Sequence, residues 1–124
     1  MAKPRMPLIL IADDDRSHRL MLSTMMMEWG FRTQEADDGR QALEIIRTRP
    51  VDLILMDMRM PNMDGIEATR AISRHNPAIP IVIVTAYSSI PTAVEAMKSG
   101  AFDYVTKPID FEALRLVMER ALEH

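Results

Sequence analysis

The stretch DLILMDMRMPNMDG, residues 52–65, decides the fold of this chain. Its apolar run Leu53–Met56 has the length of a buried strand, and a single carboxylate, Asp57, follows directly. The proline and glycine that come next predict a loop, and Asp64 before Gly65 predicts the start of a helix. A buried strand that ends in an acidic residue is typical of α/β proteins, in which ligands bind at the carboxyl ends of the strands.

The same alternation of strand and helix continues on both sides of this stretch. We predict five short strands, at residues 8–12, 32–36, 53–56, 81–84 and 104–105. Segments with helical spacing separate them, which predicts a parallel sheet covered by helices on both faces. Right-handed crossovers leave few ways to wind such a sheet, and five strands suit the doubly wound, flavodoxin-like order 2-1-3-4-5.

Capping residues give the approximate limits of five predicted helices, at about residues 16–29, 39–47, 65–75, 90–99 and 111–121. Ser89 and Asp110 are placed as N-caps, and Gly30 and Gly100 lie just past helix ends, where a left-handed residue is favoured. We expect the first helix to bury one broad face, made of Met21, Leu22, Met25, Met26 and Trp29.

Length and composition indicate a single globular domain. The 124 residues are 48% hydrophobic and 27% charged, which suits one packed core and excludes disorder by composition. A formal net charge of -3 offers no basic stripe, so we expect no direct binding of nucleic acid by this fragment. The chain has no cysteine and no apolar run as long as a membrane span, so we expect a cytoplasmic protein that does not enter a membrane.

The ends of the chain differ in character from its middle. Residues 1–7 are polar and interrupted by proline, and we expect them to form an N-terminal tail. Residues 8–121 are expected to form the domain itself. The last residues, 122–124, resemble the start of an expression tag, so we treat them as a tag remnant.

Polar side chains follow four of the five predicted strands. They are Asp13, Asp14 and Asp15 after the first strand, Asp57 after the third, Thr85 after the fourth and Lys107 after the fifth. Because parallel strands end at the same edge of a sheet, we expect these groups to lie close together. Each has a simpler explanation alone: an aspartate can cap a helix, a threonine favours strands and a lysine covers a surface. Their coincidence at one edge favours a functional site.

Three carboxylates on neighbouring strands need a compensating charge. Asp13, Asp14 and Asp57 would repel one another unless a cation neutralises them. With no cysteine in the chain and no histidine expected nearby, only oxygen ligands are on offer, which favours Mg²⁺. Asp57 could then accept a phosphoryl group, with Lys107 and the Thr85 hydroxyl contacting its oxygens. Neither glycine-rich nucleotide-binding motif occurs, so nucleotide binding is not predicted.

The sequence resembles response-regulator receiver domains over essentially its whole length, about Leu8 to Ala121. The resemblance lies in the stretches LILIADDDRSHR, DLILMDMRMPNMDG, IVIVTAY and GAFDYVTKP, which follow one another in the family's order and spacing. It implies the CheY-like form of the flavodoxin-like fold. It also implies a signalling domain that catalyses its own phosphorylation and dephosphorylation, and not an enzyme with a separate substrate.

The resemblance implies roles for the residues around the acceptor. Asp57 would be the phospho-acceptor and Asp14 a direct ligand of Mg²⁺. Asp13 would act mainly through a coordinated water, and Arg59 through its backbone carbonyl. Asp15 is a third acid where many members have another residue, and we interpret it as a charge at the start of the first helix.

A second set of implied roles concerns the switch. Lys107 would contact the phosphoryl group, and its bond to Pro108 would be cis. Thr85 and Tyr104 would form a switch pair: the Thr85 hydroxyl moves inward, the Tyr104 ring follows, and the face of helix four, strand five and helix five is remodelled. The partners implied are a sensor histidine kinase and, after phosphorylation, a second copy in a homodimer.

Two stretches carry the resemblance further. AYSSIPTAVEAMKSGAFDYVTKPID and DMRMPNMDGI are similar to the NtrC, AtoC and ZraR branch of the family. Receivers of this branch usually precede an ATPase that activates sigma-54 polymerase and a DNA-binding domain. Arg59 and Tyr87 lie two residues beyond Asp57 and Thr85, where side chains tune the lifetime of the phosphoryl group, so that lifetime is not assigned.

Two other functions remain open at this point. The first is an Mg²⁺-dependent phosphatase of the haloacid-dehalogenase type, which also uses an aspartyl nucleophile. That family carries its nucleophile on strand one and covers the substrate with a cap, whereas Asp57 follows strand three here. The second is a pseudo-receiver that keeps the fold and works without phosphorylation, although every expected site residue is present.

Overall fold

Strands and helices alternate along the chain in the computed structural model, which describes residues 6–86 and 89–123. Their order is β1 Leu8–Ala12, α1 Arg16–Glu28, β2 Arg32–Ala36, α2 Gly39–Thr48, β3 Leu53–Asp57, α3 Gly65–His75, β4 Ile81–Thr85, α4 Ile90–Lys98, β5 Asp103–Thr106 and α5 Phe111–Glu123. The predicted alternation of strands and helices is therefore confirmed.

All five strands are parallel and lie in the order β2-β1-β3-β4-β5. The predicted flavodoxin-like order is confirmed. The register pairs Ala12 of β1 with Met56 of β3, and Asp57 of β3 with Val84 of β4. The carboxyl ends of the three central strands are thus level, and the residues that follow them meet at one edge.

Each face of the sheet packs against its own apolar cluster, because successive residues of a strand point to opposite sides. The first, here called the α2–α4 cluster, includes Ile54 and Met56 of β3 together with buried residues of α2, α3 and α4: Ala42, Ile46, Ile66, Ala68, Ile72 and Ala96. The second, the α1–α5 cluster, includes Leu53 and Leu55 of β3 with buried residues of α1 and α5: Leu22, Met26, Leu114, Val117, Met118 and Ala121.

The helix ends follow the capping residues. Asp15 is the N-cap of α1, and its carboxylate accepts hydrogen bonds from the N–H groups of Ser17 and His18. Ser89 caps α4, and the Asp110 carboxylate accepts from two N–H groups at the start of α5. Gly30 has the left-handed φ of 90° expected just after α1.

The prediction of one broad buried face on α1 is correct only in part. Leu22 and Met26 are buried, and Met25 and Trp29 pack partly buried against the α1–α5 cluster. The prediction for Met21 was wrong, since its side chain is 40% exposed. Consecutive helical residues lie about 100° apart, so the neighbour of buried Leu22 falls at the solvent edge of the stripe.

The last helix extends past the predicted end of the domain. α5 includes Leu122 and Glu123, and Leu122 packs partly buried against the α1–α5 cluster. The assignment of residues 122–124 to a tag stays a prediction. His124 and residues 1–5 of the predicted tail lie outside the described residues. Within the described part of the chain, no helix has both the length and the apolar character needed to cross a membrane.

The loop between β3 and α3 closes tightly over the end of β3. The N–H of Gly65 donates to the carbonyl of Met58 at 2.9 Å. A Cβ on Gly65 would lie 2.2 Å from the backbone oxygen of Asp57, so only glycine fits this close approach. Asn62 has a φ of 66°, and its side-chain amide donates to the Asp38 carboxylate at 2.8 Å, which ties the loop to the start of α2.

Replacing Gly65 with alanine should lower the free energy of unfolding by about 2 to 3 kcal/mol, because the added methyl group must displace backbone atoms of β3. Gly30→Ala is the matched control. Its Cβ would meet nothing within 4 Å, and only the positive φ opposes it, at about 1 kcal/mol. Urea denaturation of the two variants measures the difference. Equal losses would contradict the close approach at Gly65.

Candidate functional site

Four strand ends place the predicted polar side chains at one edge of the sheet. Asp13 follows β1, Asp57 is the last residue of β3, and Thr85 is the last residue of β4. Lys107 follows β5, and its N–H donates to the carbonyl of Thr85 at 2.8 Å, which extends the pairing of β4 and β5. The structure therefore brings together residues from four separate parts of the chain.

The carboxylates of Asp13, Asp14 and Asp57 form a compact group. One oxygen from each lies within 4.8 Å of the others, and among residues 6–86 and 89–123 this is the only group of three or more acidic, histidine or cysteine residues so close together. Asp13 and Asp57 are buried, whereas Asp14 is exposed. All three donors are hard oxygens, the type that Mg²⁺ prefers. The group fits the predicted metal and is open to solvent on the side of Asp14.

Lys107 pairs directly with Asp57, and its Nζ lies 2.8 Å from Oδ1 of the carboxylate. Burial raises the pKa of Asp57, the hydrogen bond from Lys107 opposes this, and the negative charges of Asp13 and Asp14 add to the increase. Burial lowers the pKa of Lys107, but the hydrogen bond and charge of Asp57 and the charges of the other two carboxylates outweigh it, so this pKa is raised. A further positive charge would stabilise the ionised form of Asp57.

Asp13 is held by the start of α1. Its Oδ1 accepts a hydrogen bond from the N–H of Asp15 at 2.9 Å, and its backbone carbonyl accepts one from Nη1 of Arg19 at 2.7 Å. Its Oδ2 contacts Nδ1 of His18. The expectation that no histidine lies nearby was wrong, because the first turn of α1 folds back over the end of β1. His18 is not part of the compact carboxylate group, so the donors of that group are all oxygens, as predicted.

Thr85 and Tyr104 lie on the same face of the sheet. Tyr104 of β5 pairs with Ile83 of β4, and Ile83 and Thr85, two residues apart, point to the same side. Tyr104 is partly buried against the α2–α4 cluster, to which Ile83 belongs. The Thr85 side chain is buried, and its hydroxyl donates to the sulfur of Met58 at 3.4 Å.

A cavity of about 120 Å³ at this edge is lined by Asp57, Met58, Arg59, Thr85, Ala86 and Lys107. A wider cleft of about 720 Å³, between the β3–α3 loop and α4, shares Met58 and Arg59 with the cavity and reaches Asp14. A group attached to Asp57 would lie among these side chains. The peptide bond between Lys107 and Pro108 is cis, as the resemblance implies.

Most of the predicted site residues thus meet at one edge, and two neighbours were missed. Asp15 caps α1 and lies outside the carboxylate group, as its simpler explanation requires. His18 was missed because only the direction of the first turn of α1 brings it to the site. Met58 could have been found, since the residue after Asp57 points to the face that carries Thr85. Tyr87 lies outside the described residues.

The sequence matches known proteins over nearly its whole length. A family model described as the response regulator receiver domain matches residues 9–119. The transcriptional regulatory protein ZraR of Klebsiella oxytoca is 52% identical over 116 residues, which are 94% of this chain. The regulatory protein AtoC of Escherichia coli K12 is 47% identical over 115 residues, or 93% of this chain.

Solved structures with a similar fold are also known. The chemotaxis protein CheY4 of Vibrio cholerae superposes with a TM-score of 0.90 at 31% identity, and the match covers 95% of this chain and 100% of CheY4. The two curated relatives are longer: the chain spans 26% of the length of ZraR and 25% of AtoC.

Replacing Asp57 with asparagine should stabilise the metal-free fold at neutral pH. A raised folded-state pKa means that folding favours protonated Asp57, and this contribution is lost as the pH rises through that pKa. Asparagine removes the buried charge, and we expect the free energy of unfolding to rise by about 1 to 3 kcal/mol. This is less than the roughly 4 kcal/mol of repulsion between two like charges 4 Å apart near a protein surface, because the attraction to Lys107 is also lost.

Urea denaturation in the presence of a chelator measures this gain across pH. The gain should shrink as the pH falls through the raised pKa of Asp57, where the unsubstituted carboxyl group becomes neutral. Asp110→Asn, which keeps a capping side chain and lies outside the carboxylate group, is the control. A gain that does not vary with pH, or a loss of stability, would contradict the electrostatic cause.

Proposed function

The chain belongs to the response regulator receiver domain family, and we propose that Asp57 accepts a phosphoryl group from a phosphohistidine of a sensor histidine kinase. One observation carries the proposal. The Asp57 carboxylate is buried at the end of β3, with a lysine Nζ at 2.8 Å on one side and two further carboxylates within 4.8 Å. Such a group gains most from added positive charge, which is what phosphoryl transfer requires.

The transfer exchanges one bond to phosphorus for another. A carboxylate oxygen of Asp57 forms the new O–P bond while the P–N bond of the phosphohistidine breaks, and the electron pair of that bond returns to the imidazole. Lys107 then contacts the phosphoryl oxygens from the side of Asp57 where it already lies. The Thr85 hydroxyl, which lines the same cavity of about 120 Å³, donates to another phosphoryl oxygen.

We assign the metal ligands to the same edge. Asp14 and Asp57 would hold Mg²⁺ directly, Asp13 through a water, and Arg59 through its backbone carbonyl. Mg²⁺, when bound, supplies positive charge to the phosphoryl oxygens and offsets the repulsion among the carboxylates. The exposure of Asp14 leaves that side of the group open to water, which Mg²⁺ commonly retains as a ligand.

Thr85 and Tyr104 would carry the signal away from the site. When the Thr85 hydroxyl moves toward the phosphoryl group, the Tyr104 ring on the same face can occupy the space it leaves. The affected surface is that of α4, β5 and α5, where Ile90, Val94 and Met97 of α4 are exposed at helical spacing. An exposed apolar stripe of this kind supports a contact with a partner that changes on phosphorylation.

The domain would act within a longer protein. Its relatives are named as transcriptional and regulatory proteins, and the chain spans about a quarter of their length. We propose that the output is an ATPase that activates sigma-54 polymerase and a DNA-binding domain, in the cytoplasm. The receiver would catalyse its own phosphorylation and dephosphorylation and would not bind nucleic acid itself.

The two alternative functions receive less support. A phosphatase of the haloacid-dehalogenase type carries its nucleophile after the first strand, whereas Asp57 ends β3. A pseudo-receiver needs none of the acceptor chemistry, yet Asp57, Lys107 and the carboxylate group are all assembled here. Labelling of Asp57 separates the three functions.

Incubation with Mg²⁺ and acetyl phosphate should add one phosphoryl group to Asp57, because the carboxylate is the nucleophile and the small donor supplies the group. Intact mass spectrometry measures the addition. Asp57→Ala should remain unlabelled, and omission of Mg²⁺ should reduce labelling strongly. Asp15→Asn is the matched control, since asparagine also caps a helix and the residue lies outside the carboxylate group. Unchanged labelling of Asp57→Ala would overturn the proposal.

Beryllofluoride with Mg²⁺, which mimics the phosphoryl group, should increase self-association by altering the surface of α4, β5 and α5. Sedimentation velocity with and without the mimic measures the change. Val94→Glu places a charge in the exposed stripe of α4 and should suppress the increase without preventing beryllofluoride from binding. Identical sedimentation in both conditions would contradict a switch in self-association in this chain.

A further inference from the structure

The hydroxyl of Thr85 has a specific acceptor next to the phospho-acceptor residue. It donates to the thioether sulfur of Met58 across 3.4 Å. Building on the proposed function, we propose that Met58 is a positioning residue whose sulfur competes with a phosphoryl oxygen on Asp57 for the Thr85 hydroxyl. The strength of this one contact would help to set how readily the domain reaches its phosphorylated conformation.

The sheet register brings the two side chains together. Asp57 pairs with Val84, and the N–H of Met58 donates to the carbonyl of Val84 at 2.9 Å, so Met58 extends the β3–β4 pairing by one residue. Met58 follows Asp57 and therefore points to the opposite face, the face that also carries Thr85. Its side chain packs partly buried against the α2–α4 cluster, so its sulfur is held in place by apolar contacts.

The same two residues also line the cavity beside Asp57. Met58, Thr85 and Asp57 all contribute to its wall, so a phosphoryl group on Asp57 would lie close to both the Thr85 hydroxyl and the Met58 side chain. A threonine hydroxyl has a single proton to donate. Donation to a phosphoryl oxygen therefore requires that the hydrogen bond to sulfur be broken or greatly weakened.

The strength of the acceptor determines which hydrogen bond the Thr85 hydroxyl makes. A thioether sulfur is a weak acceptor, whereas a phosphoryl oxygen is charged and accepts much more strongly. Met58 therefore orients the Thr85 hydroxyl without preventing it from donating to a phosphoryl oxygen instead. A stronger acceptor at this position would oppose the switch, and an apolar side chain of the same volume would ease it.

Tyr104 of β5 lies on the same face of the sheet as Thr85 and Met58. The contact between Thr85 and Met58 is thereby linked to the surface of α4, β5 and α5. Tyr104 and Met58 both pack against the α2–α4 cluster, and Tyr104 is two residues before the partner of Thr85 on β5. While its hydroxyl is bonded to the Met58 sulfur, the Thr85 side chain continues to occupy space on this face of the sheet. Release of the contact thus affects the space into which the Tyr104 ring would move.

The test is a double-mutant cycle with beryllofluoride and Mg²⁺ as the probe. Met58→Leu keeps the side-chain volume and removes the acceptor. We expect it to increase the affinity for beryllofluoride about two- to fivefold, in the lower part of the range for one neutral hydrogen bond, because sulfur accepts weakly. In a Thr85→Val background, which has no hydroxyl, the same substitution should leave the affinity unchanged. Met60→Leu is the control for methionine replacement in the same loop, with no expected change in either background.

A spectroscopic measurement tests the contact without the probe. In protein labelled with ¹³C at the methionine methyl groups, Thr85→Val should shift the NMR signal of Met58 and leave that of Met63 in place. Beryllofluoride with Mg²⁺ should shift the Met58 signal in the same direction, because the hydroxyl leaves the sulfur in both cases.

The outcomes separate this inference from the proposed function. An equal effect of Met58→Leu with and without the Thr85 hydroxyl, or no effect in either background, would overturn the inference alone. If beryllofluoride fails to bind the unsubstituted domain at all, the proposed function is overturned and the inference with it. An unshifted Met58 signal in Thr85→Val would also overturn the inference.

Discussion

Three carboxylates held within 4.8 Å of one another are the constraint on which the rest of the site depends. The parallel sheet brings them together, since Asp13 follows β1 and Asp57 ends β3, two neighbouring central strands whose ends are level. Lys107 offsets only part of the repulsion, and the pKa of Asp57 is still raised. The apolar clusters on both faces hold the strands in register, so the fold sustains a charge distribution that favours a cation at this edge.

Asp57 and Met58, which are adjacent in sequence, make their contacts on opposite faces of the sheet. Asp57 points to one side, where Lys107 contacts its carboxylate, and Met58 points to the other, where its sulfur accepts from Thr85. In the proposed switch, a change in charge at Asp57 would alter hydrogen bonding on the opposite face of the sheet, which carries Tyr104. A weak contact is suited to this position because a switch needs two conformations of similar free energy.

The start of α1 belongs to the site as much as the strand ends do. Asp13 accepts hydrogen bonds at its carboxylate and its carbonyl from residues of this segment, and His18 contacts the same carboxylate. Asp15 contributes differently: it caps the helix and fixes where the first turn begins. The capping residue thus decides which side chains of α1 face the carboxylate group, although it does not join that group.

The sequence by itself determined the five strands and five helices, the side of the sheet where the site lies, and the residues Asp13, Asp14, Asp57, Thr85 and Lys107 that meet there. These follow from apolar periodicity, capping chemistry and the rule that parallel strands end at one edge, all of which are local or topological. The pattern narrowed the strand order without fixing it, and the structure confirmed the flavodoxin-like choice. Only the tertiary structure decided that His18 contacts Asp13, that Met58 accepts from Thr85 and that Met21 is exposed. Each of these depends on how a helix turn or a side chain is oriented against an element distant in sequence, and such orientation is set by packing in three dimensions.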